Sequence, residues 1–339
     1  MYKVKAGIIG LGRLGRAYAQ LIKNHVKHVD LLAACSLSQE ELAFAKSKLD
    51  VQYAYTDHHQ IVNNHDIDAI FLMSPPVHHA MHLIDAINAG KHVFTTTPLA
   101  TNVADCSSVV KTAKNRPSQV VMIGFEHRYH EAYTQAKKII DRGQIGEVVM
   151  VNSSTLDKEK TDMYYQQYGV DSGGIFMELN IKNLDIVRWL SNKEIESVTS
   201  TGGSFKYDLF ERLNDADNVM SLLELKGGGM ANVSASRLSQ DGFNFKTSVL
   251  GTEGSLEILN LSSSESIIMR DTKGVRIQVP QSYFERFEPA LLTQANDFIH
   301  CIQESGKPRV SLEDGLEATR AAVAMTKSFL MKEKIHLDR

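Results

Sequence analysis

The sequence predicts an α/β protein: a doubly wound parallel sheet, followed by an α+β domain with a large, mainly antiparallel open sheet. In the first third of the chain, short apolar strands alternate with amphipathic helical stretches, a pattern typical of parallel strands covered by helices on both faces. After residue 124, consecutive strands are joined by glycine-containing turns at 226–229 and 251–254, which favours antiparallel pairing. With 339 residues the chain can form two cores. We therefore expect domains at 1–123 and 124–339.

The same patterns predict the individual elements. Strands of the first domain are predicted at Val4–Ile9, Val29–Ala34, Ala69–Met73, His92–Thr95 and Val120–Ile123, with a weak strand near Tyr53. In the second domain, strands are predicted at Val148–Ser154, Ile195–Gly202, Asn218–Leu225, Gly229–Ser236, Thr247–Leu250, Ser255–Leu259, Ser266–Arg270 and Val275–Gln278. Helices are expected there at Glu131–Arg142 and Gly174–Leu190, and the final helices, around Ala290–Glu304 and Leu312–Met331, could pack on either domain.

The first predicted strand runs directly into a glycine-rich turn and then a helix. The turn reads Gly10-Leu11-Gly12-Arg13-Leu14-Gly15. Gly10 permits the tight turn, Gly12 lets a pyrophosphate approach the backbone, and Gly15 lets the helix pack closely on the strand. Because this motif follows a strand and opens a βαβ unit, it indicates a dinucleotide-binding Rossmann domain. We expect Arg13 and Leu14 to contribute to the same site.

Composition excludes several classes of partner and site. The net charge of −3 predicts no nucleic-acid partner, and the apolar runs are too short for a membrane span or a signal peptide. The cysteines Cys35, Cys106 and Cys301 are widely spaced, as expected of buried thiols in a cytoplasmic protein. Adjacent side chains on a helix diverge, so the histidine pairs 58–59 and 78–79 predict no metal site.

Several stretches together resemble the family of glucose–fructose oxidoreductase, inositol dehydrogenase and MocA. They are 7–15 (GIIGLGRLG), 74–79 (SPPVHH), 90–100 (GKHVFTTTPLA), 124–129 (GFEHRY), 172–190 (SGGIFMELNIKNLDIVRWL), 251–258 (GTEGSLEI) and 312–318 (LEDGLEA). The resemblance implies hydride transfer between NAD or NADP and a hydroxyl or keto carbon of a polyol, inositol or sugar-like substrate. It also implies a C-terminal sheet that packs against a partner subunit, and an exposed sheet face favours a homodimer or homotetramer.

The chain departs from the family where the resemblance implies catalysis. Thr97 stands where the family has a lysine beside the reacting hydroxyl, and Thr97 carries no charge. Glu178 and Lys182 stand where the family has an aspartate and a histidine, and Asn183 replaces a common aspartate. Lys182 is interpreted either as the relocated cation of the site, as part of a decayed site, or as half of a Glu178–Lys182 helix pair worth about 0.3–0.5 kcal/mol.

The resemblance also implies further binding residues. At the end of the second strand, Ser36 replaces the acid that binds a ribose 2′-hydroxyl, which removes a barrier to a 2′-phosphate. Arg13 could neutralise such a phosphate, so NAD or NADP is expected, with a slight preference for NADP. The other expected cofactor contacts are Ser74, Pro75, His79 and Thr96, and the expected substrate contacts are Arg128, Tyr165 and Asn183.

Two other functions remain open at this stage. A chain that keeps Gly10, Gly12 and Gly15 but lacks the family's lysine and histidine could be a dinucleotide-binding regulator or sensor without catalysis. It could also perform redox-neutral chemistry with a retained cofactor. An oxidoreductase is the leading expectation.

Overall fold

The computed structural model describes residues 2–168, 171–240, 242–258, 268–271, 274–277 and 280–337. Within the chain, two compact units form. The first contains Met1–Tyr129 and Pro289–Thr319, and the second contains His130–Glu288 and Arg320–Arg339. These units divide the chain differently from a single boundary at residue 124, because a C-terminal segment belongs with the first unit.

The first unit contains a six-stranded sheet in the order β3-β2-β1-β4-β5-β6. Its strands are β1 (Val4–Ile9), β2 (Val29–Cys35), β3 (Tyr53–Tyr55), β4 (Ala69–Leu72), β5 (His92–Thr96) and β6 (Val121–Gly124). All neighbouring strands are parallel. This order reverses next to β1, where ligands bind beyond the carboxyl ends of the strands. The predicted doubly wound parallel sheet is confirmed.

Helices connect these strands. They are α1 (Arg13–His25), α2 (Gln39–Phe44), α3 (His58–Val62), α4 (His79–Asn88) and α5 (Val103–Lys114), with a π-helical turn at Ala45–Leu49 and 3-10 turns at Pro76–His78 and Glu126–Tyr129. Helix α1 buries Gly15, Tyr18, Ala19 and Ile22, the three- and four-residue spacing of one helix face. The Ser38 side chain caps α2, and the Asn102 side chain caps α5.

The second unit contains a seven-stranded sheet in the order β12-β11-β7-β10-β9-β8-β15. Its strands are β7 (Val148–Lys158), β8 (Ile195–Gly203), β9 (Asn218–Leu225), β10 (Met230–Ser239), β11 (Asn244–Gly251), β12 (Ser255–Ile258) and β15 (Ile335–His336). Among the described strands of this sheet, β7 and β10 pair in parallel and the other neighbours pair antiparallel, so the sheet is mainly antiparallel, as predicted. A separate two-stranded sheet pairs β13 (Ile268–Asp271) with β14 (Gly274–Ile277) in antiparallel orientation. Parts of three predicted strands lie outside the described residues. They are residue 259 of the strand predicted at 255–259, residues 266–267 of the strand predicted at 266–270, and residue 278 of the strand predicted at 275–278.

Of the six remaining helices that the described residues form, the first five begin in the second unit and the last begins in the first unit. They are α6 (Glu131–Asp141), α7 (Asp162–Tyr168), α8 (Ile181–Ser191), α9 (Asp208–Arg212), α10 (Tyr283–Gln303) and α11 (Leu312–Met331), and a π-helical turn at Phe176–Asn180 precedes α8. Residues 289–319 of α10, α11 and their connection belong to the first unit. There Phe298 packs against Phe71 and Phe94, with ring centroids 5.4 and 5.9 Å away. None of the helices in the described ranges combines the length and apolar character of a membrane span.

Candidate functional site

The glycine turn of the first unit has the geometry that a dinucleotide requires. Gly10 has φ +91°, and a side chain there would meet the Met73 backbone at 2.6 Å. A Cβ on Gly15 would lie 2.0 Å from the Gly10 carbonyl oxygen, so Gly15 allows α1 to approach the turn. A Cβ on Gly12 would meet nothing within 4 Å. The open space therefore lies at Gly12, at the N-terminus of α1, where backbone N–H groups and the helix dipole favour a pyrophosphate. The turn fits a dinucleotide.

The carboxyl end of β2 lies beside this turn, since the Gly10 amide donates to the Cys35 carbonyl at 2.9 Å. The next residue, Ser36, is buried, and its hydroxyl donates to the carboxylate of Glu41 in α2. The Ser36 oxygen also accepts from the Ser38 amide at 3.0 Å. The strand end therefore carries a carboxylate, although its own residue is a serine.

The loops after β4 and β5 are connected by one histidine. The ring nitrogens of buried His79 lie 2.7 Å from the carbonyl oxygens of Ser74 and Pro98. Burial lowers the pKa of His79, although the two carbonyl contacts oppose this. Both nitrogens thus face the protein backbone. His79 therefore holds the loops after β4 and β5 together, and both of its ring nitrogens are used in these contacts.

A second histidine contacts the same loop. The Ser74 hydroxyl lies 2.9 Å from Nδ1 of His82. Burial and the neighbouring His58, His78 and His79 lower the pKa of His82 to about 4. The hydrogen bond between the Ser74 hydroxyl and His82 Nδ1 orients the Ser74 side chain.

The other expected cofactor residues lie in the same unit. Thr96 ends β5 and is buried, Thr97 follows it with partial exposure, and Pro75 is exposed in the loop after β4. Arg128 forms a two-pronged contact with Asp314, with Nη–Oδ distances of 3.0 and 3.2 Å. Burial opposes ionisation of Asp314, but Arg128 and Ser311 lower its pKa below the usual value. The guanidinium of Arg128 is therefore engaged within the first unit.

In the second unit, a buried arginine holds two carboxylates. Arg237 is 1% exposed and contacts Glu178 and Asp215 at 2.7 Å each. Burial alone would lower the pKa of Arg237, but the two carboxylates raise it above the usual value. Its guanidinium lies 4.3 Å from the centre of the Phe210 ring. Glu178 is 29% exposed, so it is a fixed carboxylate with a solvent-accessible edge.

The backbone around Gly174 explains this arrangement. Gly174 has φ +85°, and a Cβ there would meet an Asp215 carboxylate oxygen at 3.1 Å. That oxygen accepts from the Ile175 amide at 2.9 Å, which secures the beginning of the helical segment. Asp215 therefore joins the start of this segment to Arg237.

Glu178 and Lys182 make different contacts. Glu178 binds Arg237, whereas the Lys182 ammonium lies 3.9 Å from the centre of the Tyr283 ring. Their four-residue spacing predicts a shared face on a regular α-helix, but Phe176–Asn180 form a π-helical turn, which changes the spacing around the axis. The partly buried Lys182 side chain therefore packs on an aromatic face, a favourable cation–π contact.

Asn183 and Tyr165 are used within the second unit. The fully buried Asn183 accepts from Thr155 and donates to Ser153, each at 2.8 Å. The Tyr165 hydroxyl donates to the Arg237 carbonyl and accepts from the Lys160 amide, both at 3.0 Å. Burial raises the pKa of Tyr165 to about 12. Both side chains support their surroundings.

The structure thus collects the expected cofactor residues with Thr97 and Arg128 in the first unit. It collects Glu178, Lys182, Asn183 and Tyr165 in the second. Sequence reasoning missed Arg237 and Glu41. Arg237 had a signal, because it follows Ala231, Val233 and Ala235 in the inward-facing alternation of β10. Glu41 had none beyond its place after Ser38.

One histidine pair lies closer than expected. The rings of His58 and His59 are 3.9 Å apart, and with Asp57 they bring possible ligand atoms within 4.8 Å of one another. His58 Nε2 lies 2.8 Å from Asp85 in α4. This hydrogen bond accounts for the orientation of His58 without an ion.

Comparison with known proteins agrees with the fold. Residues 4–125 match the family model described as an oxidoreductase family with an NAD-binding Rossmann fold, and residues 137–337 match its C-terminal alpha/beta domain. The myo-inositol 2-dehydrogenase of Thermotoga maritima is 27% identical over 99% of both chains. The scyllo-inositol 2-dehydrogenase (NAD(+)) of Bacillus subtilis is 27% identical over 99% of this chain and 97% of its own.

A solved structure is similar over nearly the whole chain. The crystal structure of scyllo-inositol dehydrogenase from Lactobacillus casei with bound NAD(H) and scyllo-inositol has a TM-score of 0.94. It is 29% identical and covers 99% of each chain. Both domain matches lie in the order and over the ranges that the sequence resemblance implies. The chain belongs to the oxidoreductase family of glucose–fructose oxidoreductase, inositol dehydrogenase and MocA.

Proposed function

We propose that this chain is an NAD-dependent oxidoreductase that transfers a hydride to or from a hydroxyl or keto carbon of a polyol of the inositol class. The observation that carries the substrate assignment is the Glu178 carboxylate, held by buried Arg237 and still partly exposed. A fixed carboxylate accepts hydrogen bonds from the neighbouring hydroxyls of a polyol. The relatives named as inositol dehydrogenases support the same class of substrate.

The first unit holds the dinucleotide in this proposal. Gly12 and the N-terminus of α1 receive the pyrophosphate, with Gly10, Arg13, Leu14 and Gly15 forming the turn. When bound, the nicotinamide accepts or returns the hydride. Ser74, Pro75, Thr96 and Thr97, at the carboxyl ends of β4 and β5, line the cofactor, and His79 fixes the loops that carry them.

The second unit supplies the acid–base chemistry. Lys182 donates a hydrogen bond to the reacting oxygen and stabilises its negative charge. In the direction of reduction the ammonium gives the proton to the new hydroxyl and becomes a neutral amine, and in the direction of oxidation the neutral amine takes the hydroxyl proton. Glu178 orients the substrate, and Asn183 and Tyr165 support the surrounding helix and strand.

NAD is the cofactor we propose, in place of the slight preference for NADP that Ser36 suggested. The Glu41 carboxylate stands at the end of β2, where a 2′-phosphate would meet a negative charge. The family description and the NAD(H)-bound relative support the same choice.

The test is the absorbance of NADH at about 340 nm, followed with scyllo-inositol, myo-inositol and a panel of linear polyols and their keto forms. Replacing Lys182 with methionine removes the charge and keeps the chain length. We expect kcat/KM to fall about 100- to 10,000-fold, the usual contribution of a positioned proton donor. The matched control Lys226→Met, in a turn of the second unit, should keep wild-type activity.

Two outcomes would favour other functions. Tight NADH binding with no turnover of any compound would indicate a dinucleotide-binding regulator or sensor. Dinucleotide that co-purifies and never exchanges, with turnover but no net change in absorbance, would indicate redox-neutral chemistry. Unchanged kcat/KM in Lys182→Met would remove Lys182 from the site.

A further inference from the structure

The carboxyl end of β2 presents an acid that the strand itself lacks. Ser36 is the first residue beyond β2, and its hydroxyl donates to Glu41, five residues later in α2. The Ser36 amide donates to the Tyr55 carbonyl at 3.0 Å, so its backbone is fixed to the neighbouring strand. Glu41 is therefore tied to a rigid point of the sheet, next to the glycine turn.

Glu41 does not serve the role that its position in the helix would suggest. Ser38 is the N-cap of α2, and a glutamate three residues after a serine N-cap ordinarily returns to accept from the N-cap amide. Here the Ser38 amide donates to the Ser36 hydroxyl oxygen instead, at 3.0 Å. Ser36 replaces Glu41 as the acceptor of the Ser38 amide, and the Glu41 carboxylate contacts Ser36 at the strand end.

The other oxygen of Glu41 remains available. One oxygen, Oε2, accepts from Ser36, and among the described residues the second has no hydrogen-bond partner. Glu41 is only partly buried, so a ligand can reach it. A carboxylate in this state accepts hydrogen bonds from a hydroxyl donor.

The charged side chains around the end of β2 also favour a ligand hydroxyl over a phosphate at this position. The nearby Arg16 is engaged by Glu40 at 3.0 Å and by the Leu11 carbonyl at 3.2 Å. Burial, with a smaller contribution from Asp57, raises the pKa of the Cys35 thiol at the end of β2 to about 11. Arg13, in the glycine turn, is the cation that could favour a phosphate.

We propose that Glu41, presented by Ser36, binds the ribose 2′-hydroxyl of NAD and excludes the 2′-phosphate of NADP. The acid that selects the dinucleotide has thus moved from the strand end into the first turn of α2. The inference rests on the proposed dinucleotide-binding function and names a specificity-determining residue of that site. Attraction to a hydroxyl and repulsion of a phosphate act in the same direction, so one residue sets the preference.

The experiment measures equilibrium binding of NADH and of NADPH to the full chain, by nucleotide fluorescence and by calorimetry, and needs no substrate. Wild type should bind NADH about 100-fold more tightly than NADPH, as expected for one close charge repulsion and one charged hydrogen bond. Glu41→Gln should lower that ratio to within about fivefold of unity, because it removes the repulsion and weakens the hydrogen bond. Glu41→Arg should reverse the preference.

Two variants separate the role of Glu41 from a general effect on α2. Gln39→Ala, at an exposed neighbouring position of α2, should leave the NADH/NADPH ratio at its wild-type value. The double variant Ser36→Asp with Glu41→Gln puts the acid back on the strand end and should restore most of the preference for NADH. Thermal unfolding should stay within a few degrees for all of them, because each variant keeps the N-cap contact of α2, from the Glu41 backbone amide to the Ser38 side chain.

The results distinguish the two proposals. If wild type binds NADH and Glu41→Gln keeps the wild-type ratio within about twofold, well under 1 kcal/mol, Glu41 does not select the dinucleotide, and the proposed function stands. Preference of the wild type for NADPH would overturn the inference and the choice of NAD, would assign the selection to Arg13, and would leave the proposed oxidoreductase activity standing. Failure of wild type to bind either dinucleotide would overturn both proposals.

Discussion

The glycine turn of the first unit and the Arg237 cluster of the second unit depend on the sequence in two different ways. At the turn, backbone geometry decides: Gly10 and Gly15 have no room for a side chain, whereas Gly12 leaves an open space. In the cluster, side chains from β10, from the π-helical turn and from the loop at Asp215 meet around one guanidinium. The first arrangement is local in sequence, and the second depends on residues up to 59 positions apart.

Removing Arg237 should break the second region most severely. Arg237→Met leaves the carboxylates of Glu178 and Asp215 facing each other without a counter-charge, which should lower the free energy of unfolding by about 3–5 kcal/mol. Chemical denaturation monitored by circular dichroism measures this loss. The triple variant with Glu178→Gln and Asp215→Asn removes the unpaired charges and should recover much of the stability. A loss below about 1 kcal/mol in Arg237→Met would contradict a buried ion-pair centre.

Alanine substitutions should separate the glycines of the first region. A Cβ at Gly15 meets the Gly10 carbonyl at 2.0 Å, so Gly15→Ala should lose about 3 kcal/mol of unfolding free energy. Gly12→Ala should change it by less than about 1 kcal/mol, since its Cβ meets nothing.

Gly12→Ala, which should hardly change stability, should have a clear effect on NADH affinity. Gly12→Ala should weaken NADH binding about tenfold or more, because the added methyl fills the space where the pyrophosphate approaches. Denaturation and NADH titration on the same samples check both effects. Equal stability losses in the two variants would show that the glycines have the same role.

The pH dependence of stability should report on the buried His82 of the first unit. His82 has a folded pKa of about 4, below its ordinary value of 6.5. As pH falls below 6.5, the unfolded chain binds a proton that folded His82 does not, so stability declines between pH 6.5 and 4. His82→Gln should flatten that decline, and His65→Gln, at an exposed position, should not. Thermal unfolding from pH 7 to pH 4 measures the difference, and parallel curves for wild type and His82→Gln would contradict it.

Substitutions on the exposed face of the second sheet should have the smallest effect on the free energy of unfolding, and should instead change the mass of the assembly. Met220, Leu222 and Met230 are exposed on β9 and β10, with Leu222 64% exposed. We propose that this face contacts a second copy of the chain in a homodimer or homotetramer. Leu222→Lys should reduce the mass measured by light scattering, while Leu330→Lys in α11 should not. An unchanged mass in Leu222→Lys would place the contact elsewhere.

Much of the fold could be predicted because local patterns carry it. The alternation in β9 and β10, and the strand–glycine–helix order at residues 4–15, require nothing beyond neighbours in sequence. The return of Phe298 to the core of the first unit could not be predicted, because an apolar helix face is compatible with either unit.

The candidate site was less predictable for the same reason. Glu178 and Lys182 suggested a helix pair from their spacing, yet Arg237 and Tyr283 provide the contacts that the structure describes. Ser36 suggested a missing acid, and Glu41 supplies one through a contact that composition does not reveal.

The sequence by itself determined the Rossmann domain, its glycine turn and the family, because these depend on backbone conformation and on residue order. Only the tertiary structure decided which polar side chains pair: Arg237 with Glu178 and Asp215, and Ser36 with Glu41. The physical reason is that a charged or hydroxyl side chain can satisfy itself with many partners. Burial and packing of the whole unit select among them.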